Sequence, residues 1–339
     1  MKNHSIAVDL SRIASVKNIP LDVTWEITKK CNLKCKPCYI VRNNKEELSI
    51  DEGIKLIKDL SKAKTLYLTL TGGEPFTRKD ALRIWASAAQ NYKMAVTIFT
   101  NGTLIEREDL EWLKVLSPFA VHISLFSTNK KIHESMTRIK GSFGKTLEAI
   151  KSLKKLKLTP VIKMLLCREN FNERNNLIKL AESLGVSWSI DPVVTPEETG
   201  GKNPVKYRLS EKQINTLLTD SSKHLIPKFS PNSPHEFICG AGVNLAAISN
   251  CGTVYPCLMY PKAVGNIRKS SFGAIWNKSI YLNKIRNLEF NDIKSCRACN
   301  ILSFCSRCPG LAMLEDRNEF GPASTSCMMA KITKNVIKG

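Results

Sequence analysis

From Val23 to Asp191 the chain alternates between two hydrophobic periods, and that alternation leaves few folds open. Val23, Trp25 and Ile27 recur at every second position, the spacing of a strand with one buried face. Ser49 and Glu52 then make a capping-box signature ahead of Ile54, Leu56, Ile57 and Leu60, which form a helical stripe. The exchange repeats, with strands at 65–70, 95–100, 120–126, 160–167 and 187–191. Helices are expected between them at 78–91, 106–116, 145–158 and 173–184. About six β-α repeats, with nothing that demands an antiparallel hairpin, predict a parallel sheet with right-handed crossovers. An open doubly wound sheet and a barrel both satisfy the pattern. In either, the site lies at the C-terminal ends of the strands. Cys31, Cys35 and Cys38, the turn Gly72-Gly73-Glu74-Pro75, and Asn101-Gly102 all follow strand ends, so the fold should bring them together.

Three thiols between positions 31 and 38 are one short of a closed tetrahedral zinc site. An iron–sulfur cube held by three thiolates keeps one iron open for chemistry. The rhythm stops near Pro196. The turn-rich stretch from Thr195 to Pro204, a helix near 210–218 and the Pro-rich stretch Pro227–Pro234 lead to a tail dense in cysteine. That tail reads Cys239, Cys251, Cys257, Cys296, Cys299, Cys305, Cys308 and Cys327. The Cys296/Cys299 and Cys305/Cys308 pairs lie too close together for the usual zinc ribbon and suit cuboidal clusters better.

Size and composition set outer limits. A chain of 339 residues, 43% hydrophobic and 24% charged, has room for a barrel with an appendage. No apolar run is long enough for a membrane span, and the first residues lack the apolar core of a signal peptide, so a cytoplasmic protein is expected. Twelve cysteines in such a protein point to metal or redox chemistry rather than disulfides. Lys and Arg total 51 against 30 Asp and Glu, a net charge of +21, but the basic residues are scattered. Solvated helix faces account for most of them. No helix-turn-helix, RNP or zinc-finger pattern supports nucleic-acid binding, while an acidic peptide suits the charge.

Cys31-x3-Cys35-x2-Cys38, the Gly72–Pro75 turn and the tail cysteines, taken in this order, resemble a radical SAM enzyme with a C-terminal SPASM domain. The resemblance covers about residues 20–330. It implies an α/β fold: a partial (β/α)6 TIM-like barrel followed by a small cysteine-rich SPASM domain. The divisions expected are an N-terminal arm at 1–20, the barrel at 21–200, a bridging segment at 201–238 and the SPASM domain at 239–330. The implied cofactors are S-adenosylmethionine (SAM) and [4Fe-4S] clusters, one binding SAM and two auxiliary.

Residue by residue, Cys31, Cys35 and Cys38 match the SAM-cluster ligands and Glu74 the contact to the SAM amino group. Gly72 and Gly73 permit close backbone approach. Ser124 and Arg138 resemble the pair holding the SAM carboxylate, and Asn101 a ribose contact. Cys296, Cys299, Cys305 and Cys327 match one auxiliary ligand set, and Cys239, Cys257 and Cys308 contribute to the other. The chain departs from the family at Pro37, where an aromatic residue or His is usual before the third cysteine. Tyr39 packs either on the cluster or in the core.

Counting leaves Cys251 and Cys167 in question. Eight tail cysteines would close two clusters, yet Cys251-Gly252 reads as a hairpin turn roughly 20 Å from Cys257 at about 3.3 Å per residue. Geometry therefore favours Cys251 lying off the cluster, unless the hairpin bends. Cys167 is either a thiol hydrogen donor beside the substrate or, more plainly, a buried strand cysteine. His122 reads as a core histidine. Asp191, Glu197 and Glu198 are candidate general bases near the barrel mouth. The catalytic group is otherwise open, with Cys167, Cys251 and Asp191 as candidates.

The implied activity is a radical oxidoreductase or maturase that abstracts hydrogen from a peptide or protein side chain. A small-molecule cofactor precursor or sugar is the second reading. A non-catalytic iron–sulfur protein, carrying electrons or binding nucleic acid, is the third, and the Gly-Gly-Glu-Pro turn counts against it. Reduced flavodoxin or ferredoxin is the expected electron donor. The residues before the first strand are too few for a fused winged-helix leader-binding domain, so such a module would be a separate protein.

Overall fold

The computed structural model describes residues 6–43, 45–220 and 238–338. Helix α1 (Ile6–Val16) leads into β1 (Asp22–Thr28). Then follow α2 (Ile50–Lys62), β2 (Tyr67–Gly72), α3 (Lys79–Asn91), β3 (Ala95–Thr100), α4 (Arg107–Leu116) and β4 (Ala120–Ser124). After β4 come two helices, α5 (Lys130–Thr137) and α6 (Ser142–Lys155), then β5 (Pro160–Leu165), α7 (Arg174–Leu184) and β6 (Ser187–Asp191). All six strands pair in parallel, in sequence order, as the rhythm predicted. Helix α8 (Glu211–Thr219) starts on a capping box between Ser210 and Gln213.

The tail does not stand apart from this sheet. Strand β7 (Leu245–Ile248) pairs in parallel with β1, running from Asp22↔Leu245 to Trp25↔Ile248. The short strands β8 (Thr253–Tyr255) and β9 (Gly265–Asn266) follow in antiparallel register. The result is one nine-stranded sheet in the order β6-β5-β4-β3-β2-β1-β7-β8-β9. Helices α9 (Phe272–Lys278), α10 (Ile280–Arg286), α11 (Lys294–Arg297), α12 (Pro309–Asp316) and α13 (Ser324–Lys338) complete the tail.

The core lies between the sheet and its helices. Trp25 and Trp85 meet there with ring centroids 4.4 Å apart, and both are fully buried. Val96 and Ile98 of β3 and Val121 and Ile123 of β4 turn the same way. Each such side chain stabilises the fold by about 1.5–3 kcal/mol on burial. The intervening residues, Thr97, Phe99, His122 and Lys163 among them, take the opposite face.

Residues 6–16, within the stretch expected to be an N-terminal arm, form a helix. Ile6, Val8 and Leu10 alternate like strand residues, but all three stay exposed; the helix is held by the burial of Ala14 and by Asn244 Nδ2 donating to Ser11 Oγ at 3.1 Å. Helix α5 also lies in the stretch between residues 126 and 145, to which the sequence pattern assigned no element. Its signal is the N-cap Asn129, which accepts from Lys131 N and Ile132 N. The expected strand at 160–167 stops at Leu165, and the helix expected at 145–158 spans Ser142–Lys155. The Pro-rich stretch Pro227–Pro234 lies outside the described residues.

Candidate active site and cluster-binding cysteines

Beyond Thr28 the chain turns through the three-cysteine loop, and neighbouring segments hold that loop by its backbone. Lys34 N and Lys36 N donate to Thr137 O and Met136 O at the end of α5, at 3.1 and 2.9 Å. Gly73 N and Glu74 N donate to Thr28 O and Lys30 O, at 2.9 and 2.8 Å. Cys38 N closes a tight turn onto Cys35 O at 3.3 Å. Pro37 sits inside that turn, which makes no use of the N–H that proline lacks.

Gly72 and Gly73 are needed for the loop itself. A Cβ on Gly72 would sit 2.2 Å from Thr28 O, and its φ of +134° is one that side chains avoid. A Cβ on Gly73 would sit 2.1 Å from Lys30 O. The close approach expected at these glycines is therefore to the cysteine loop's own carbonyls.

Glu74 is fully buried. Its Oε1 accepts from Phe76 N at 3.0 Å and Thr100 Oγ1 at 2.7 Å, and its Oε2 from Asn101 N at 2.7 Å. Burial pushes its carboxyl up to about 7, against the pull of those donors. A carboxylate offers about four acceptor positions, so Oε2 retains one. Asn101 reaches the cysteines directly, with Nδ2 3.9 Å from Cys31 Sγ and 3.0 Å from Asn32 Oδ1. The turns after β2 and β3 thus converge on the first cysteine, as their positions predicted.

Ser124 ends β4 and is exposed. Arg138 caps α5 in a left-handed conformation, φ 58°, beside the carbonyls that hold the cysteine loop, and its Nη2 lies 3.4 Å from Tyr207 Oη. Cys35 packs against a small cluster of Phe126, Met136, Cys167 and Val194. Cys167 is wholly buried there, two residues beyond the end of β5, and burial pushes its thiol up to about 12. Asp191 ends β6, where its Oδ1 accepts from Val193 N at 2.9 Å.

A buried ionic group lies under the loop. Lys29 Nζ donates to Glu26 Oε2 at 2.7 Å and to Glu198 Oε2 at 2.5 Å, and Tyr39 Oη donates to Glu26 Oε1 at 2.8 Å. Burial opposes the charge on Lys29, but the two carboxylates outweigh it and hold the ammonium above its ordinary value. Glu198, expected as a general base, is engaged as a counter-ion and also accepts from Val41 N at 3.0 Å. Glu197 accepts from Asn203 Nδ2 at 3.3 Å within its own loop.

The cysteines fall into sets by mutual influence. Burial first, then Cys38 and Cys31, push Cys35 far above its ordinary value; burial pushes Cys31 to about 11. Burial, then Cys239 and Cys308, push Cys257 to about 12. Burial, then Cys327, Cys296 and Cys299, do the same to Cys305. Cys251 keeps different company. It occupies the turn between β7 and β8, its Sγ 3.3 Å from Ser249 Oγ and 3.7 Å from Thr253 Oγ1. Those hydroxyls, with Thr253 N and the Lys45 charge, outweigh burial and lower its thiol, and no cysteine is among the leading causes.

Among the described residues no three His, Cys, Asp or Glu side chains converge on a single ion. A cluster distributes its thiolates over separate irons and asks for neighbouring thiols instead. Arg307 supplies an independent check. It is 4% exposed, its Nε and Nη2 donate to Gly321 O and Glu319 O, and it lies close enough to Cys296, Cys305 and Cys308 to feel their charges. Its Nη1 is buried without a partner. An anionic cluster between these cysteines would satisfy that donor, so the residues fit the group.

Known proteins bear on the same residues. The model of the radical SAM superfamily matches residues 25–181, and that of the SPASM iron–sulfur cluster-binding domain matches residues 239–300. The antilisterial bacteriocin subtilosin biosynthesis protein AlbA of Bacillus subtilis is 30% identical over 86% of this chain and 67% of its own. The AdoMet-dependent heme synthase of Methanosarcina barkeri is 26% identical over 87% of this chain and 92% of its own. In fold, Streptococcus suis SuiB bound to S-adenosylmethionine superposes with a TM-score of 0.72 at 16% identity, over 96% of this chain and 84% of that one. No helix among the described residues is long and apolar enough to cross a membrane.

Proposed function

The chain belongs to the radical SAM superfamily, with a SPASM iron–sulfur domain after its barrel, and from that premise we propose that it modifies a peptide or protein side chain. Bound at the barrel mouth, a [4Fe-4S] cluster and SAM supply, on one-electron reduction, a 5′-deoxyadenosyl radical able to abstract hydrogen from an unactivated carbon. In this reading Cys31, Cys35 and Cys38 hold the cluster and leave one iron without a protein ligand. The remaining acceptor position on Glu74 Oε2 accepts from the SAM amino group. Asn101 faces the ribose, and Ser124 and Arg138 take the SAM carboxylate, Arg138 through a charge-assisted contact. Cys239, Cys257 and Cys308 hold one auxiliary cluster, and Cys296, Cys299, Cys305 and Cys327 the other.

The observation that carries the chemistry is the convergence of a buried, incompletely satisfied carboxylate and three clustered thiols at one set of strand ends. A peptide substrate is favoured by the relation to a bacteriocin biosynthesis protein and by the net charge of +21, which suits an acidic leader. Reduced flavodoxin or ferredoxin would deliver the electron, and a separate protein would present the leader. The relation to a heme synthase over most of its length favours a second reading, a small cofactor precursor. Incubating the reduced, reconstituted enzyme with SAM and the product of a short neighbouring reading frame tests the choice. A mass change in the peptide supports the maturase reading. An unchanged peptide, together with turnover of a small precursor, overturns it.

A further inference from the structure

On the face of the sheet turned away from the helices, three strands bring together Phe99, His122 and Lys163. Phe99 and His122 are register partners, and their rings stack at 4.6 Å with 13° between planes. Lys163 is the register partner of Ser124, two residues further along β4 than His122. Its ammonium leans back from that level and lies 4.5 Å from the Phe99 ring centroid. Phe99 stands level with His122, two residues before the end of β4.

Among the described residues this ammonium has neither a hydrogen bond nor a carboxylate within 4.0 Å. Asp191 is near enough to favour its charge without pairing with it. His122 Nδ1 is likewise buried and without a partner. An aromatic face attracts a cation but does not satisfy its donors, and a half-buried ammonium is costly until an anion meets it. The other buried cations near the mouth already have their anions, as Lys29 does.

We propose that Lys163, backed by Phe99 and His122, is the subsite that receives a carboxylate of the substrate inside the barrel. The inference rests on the function given above and narrows its substrate class to one presenting an acidic side chain next to the reacting carbon. The SAM carboxylate shares this chemistry, but it is assigned to Ser124 and Arg138, whereas the Lys163 ammonium lies over the Phe99 ring. His122, neutral at ordinary pH because burial and then Lys163 lower it to about 4, can donate one hydrogen bond beside the ammonium.

Two probes that differ only at the acid decide the matter: N-acetyl-glutamate N-methylamide and its glutamine counterpart. Binding of each to the reconstituted, SAM-loaded enzyme is followed by ligand-observed NMR. The acid should bind about tenfold more tightly than the amide, as for a charge-assisted contact. Lys163→Met should abolish the preference, Lys163→Arg should keep part of it, and SAM affinity should stay within about twofold in both. Equal binding of the two probes by the wild-type enzyme overturns the proposal, a test that needs no variant to fold. So does a Lys163→Met enzyme that keeps the preference, or one that loses SAM affinity instead, which would place the ammonium on the SAM carboxylate. Failure of the underlying function would register separately, as absence of 5′-deoxyadenosine from SAM.

Discussion

Lys29 Nζ lies 2.7 Å from Glu26 Oε2, and both side chains are closed to solvent. Glu198, on the loop after β6, completes the group at 2.5 Å. One strand, the cysteine loop and a distant loop are thereby tied at a single point next to Cys38. Removing one member of a buried ionic group leaves the others uncompensated, typically at a cost of about 3–5 kcal/mol. Lys29→Met is therefore expected to lower the unfolding midpoint by roughly 10 °C and to reduce iron uptake at the SAM-binding cluster. Thermal melts and iron analysis would measure both; a variant matching wild type would show that the group is incidental.

Gly73 tests how tightly the loops interlock. Because an added Cβ would lie 2.1 Å from Lys30 O, and backbone cannot swing aside like a side chain, Gly73→Ala should displace the cysteine loop. The expected variant folds, keeps the iron of the tail cysteines and loses one cluster's share of iron and visible absorbance. Full iron content would contradict the close packing.

With Glu74 as the proposed SAM contact, SAM binding is expected to depend on pH. Its carboxyl stands at about 7 when folded, against an ordinary value of 4.5. A raised carboxyl contributes stability that is fully present below the ordinary value and is lost as pH rises through the folded one. An N–H donor from the SAM amino group would be held best by the ionised carboxylate, so binding there would be linked to loss of the Glu74 proton below about pH 7. Affinity should rise from about pH 6 to about pH 7.5 and then level off, while Glu74→Gln weakens binding and flattens the profile. Equilibrium dialysis across that range checks the sign; a falling affinity would refute it.

Arg307 bears on the auxiliary clusters. A buried cation beside a cluster stabilises its reduced, more negative state. Arg307→Met should shift the auxiliary midpoints to more negative values by on the order of 60 mV, and Arg307→Lys by less. Redox titration followed by EPR reads the shift. Unchanged potentials would remove Arg307 from the cluster environment.

Local patterns made the barrel legible. Alternation in β1 to β6 and the capping box at Ser49 act over a few residues, so sequence alone locates them. Cys251 was placed by the same kind of reasoning, since a hairpin turn is a local event. The pairing of β7 with β1 was not accessible, because a buried strand edge carries no mark of its distant partner. The contact between Lys29 and Glu198 spans 169 positions, and each residue alone reads as an ordinary surface charge. Lys163 escaped notice for a related reason: a lysine inside a strand looks solvent-facing until the sheet shows which face is enclosed. Helix α1 was missed because its apolar residues alternate yet remain exposed.

Cys31, Cys35 and Cys38 are proposed to hold a cluster whose open iron works on SAM. Chromatographic detection of 5′-deoxyadenosine after reduction of the reconstituted protein with SAM tests it most directly. Formation by the wild-type enzyme, with loss in Cys31→Ala while the iron of the tail cysteines is retained, is the result expected. Absence of 5′-deoxyadenosine from a fully loaded, reduced wild-type enzyme, or its undiminished formation by Cys31→Ala, would rule out this role for the loop.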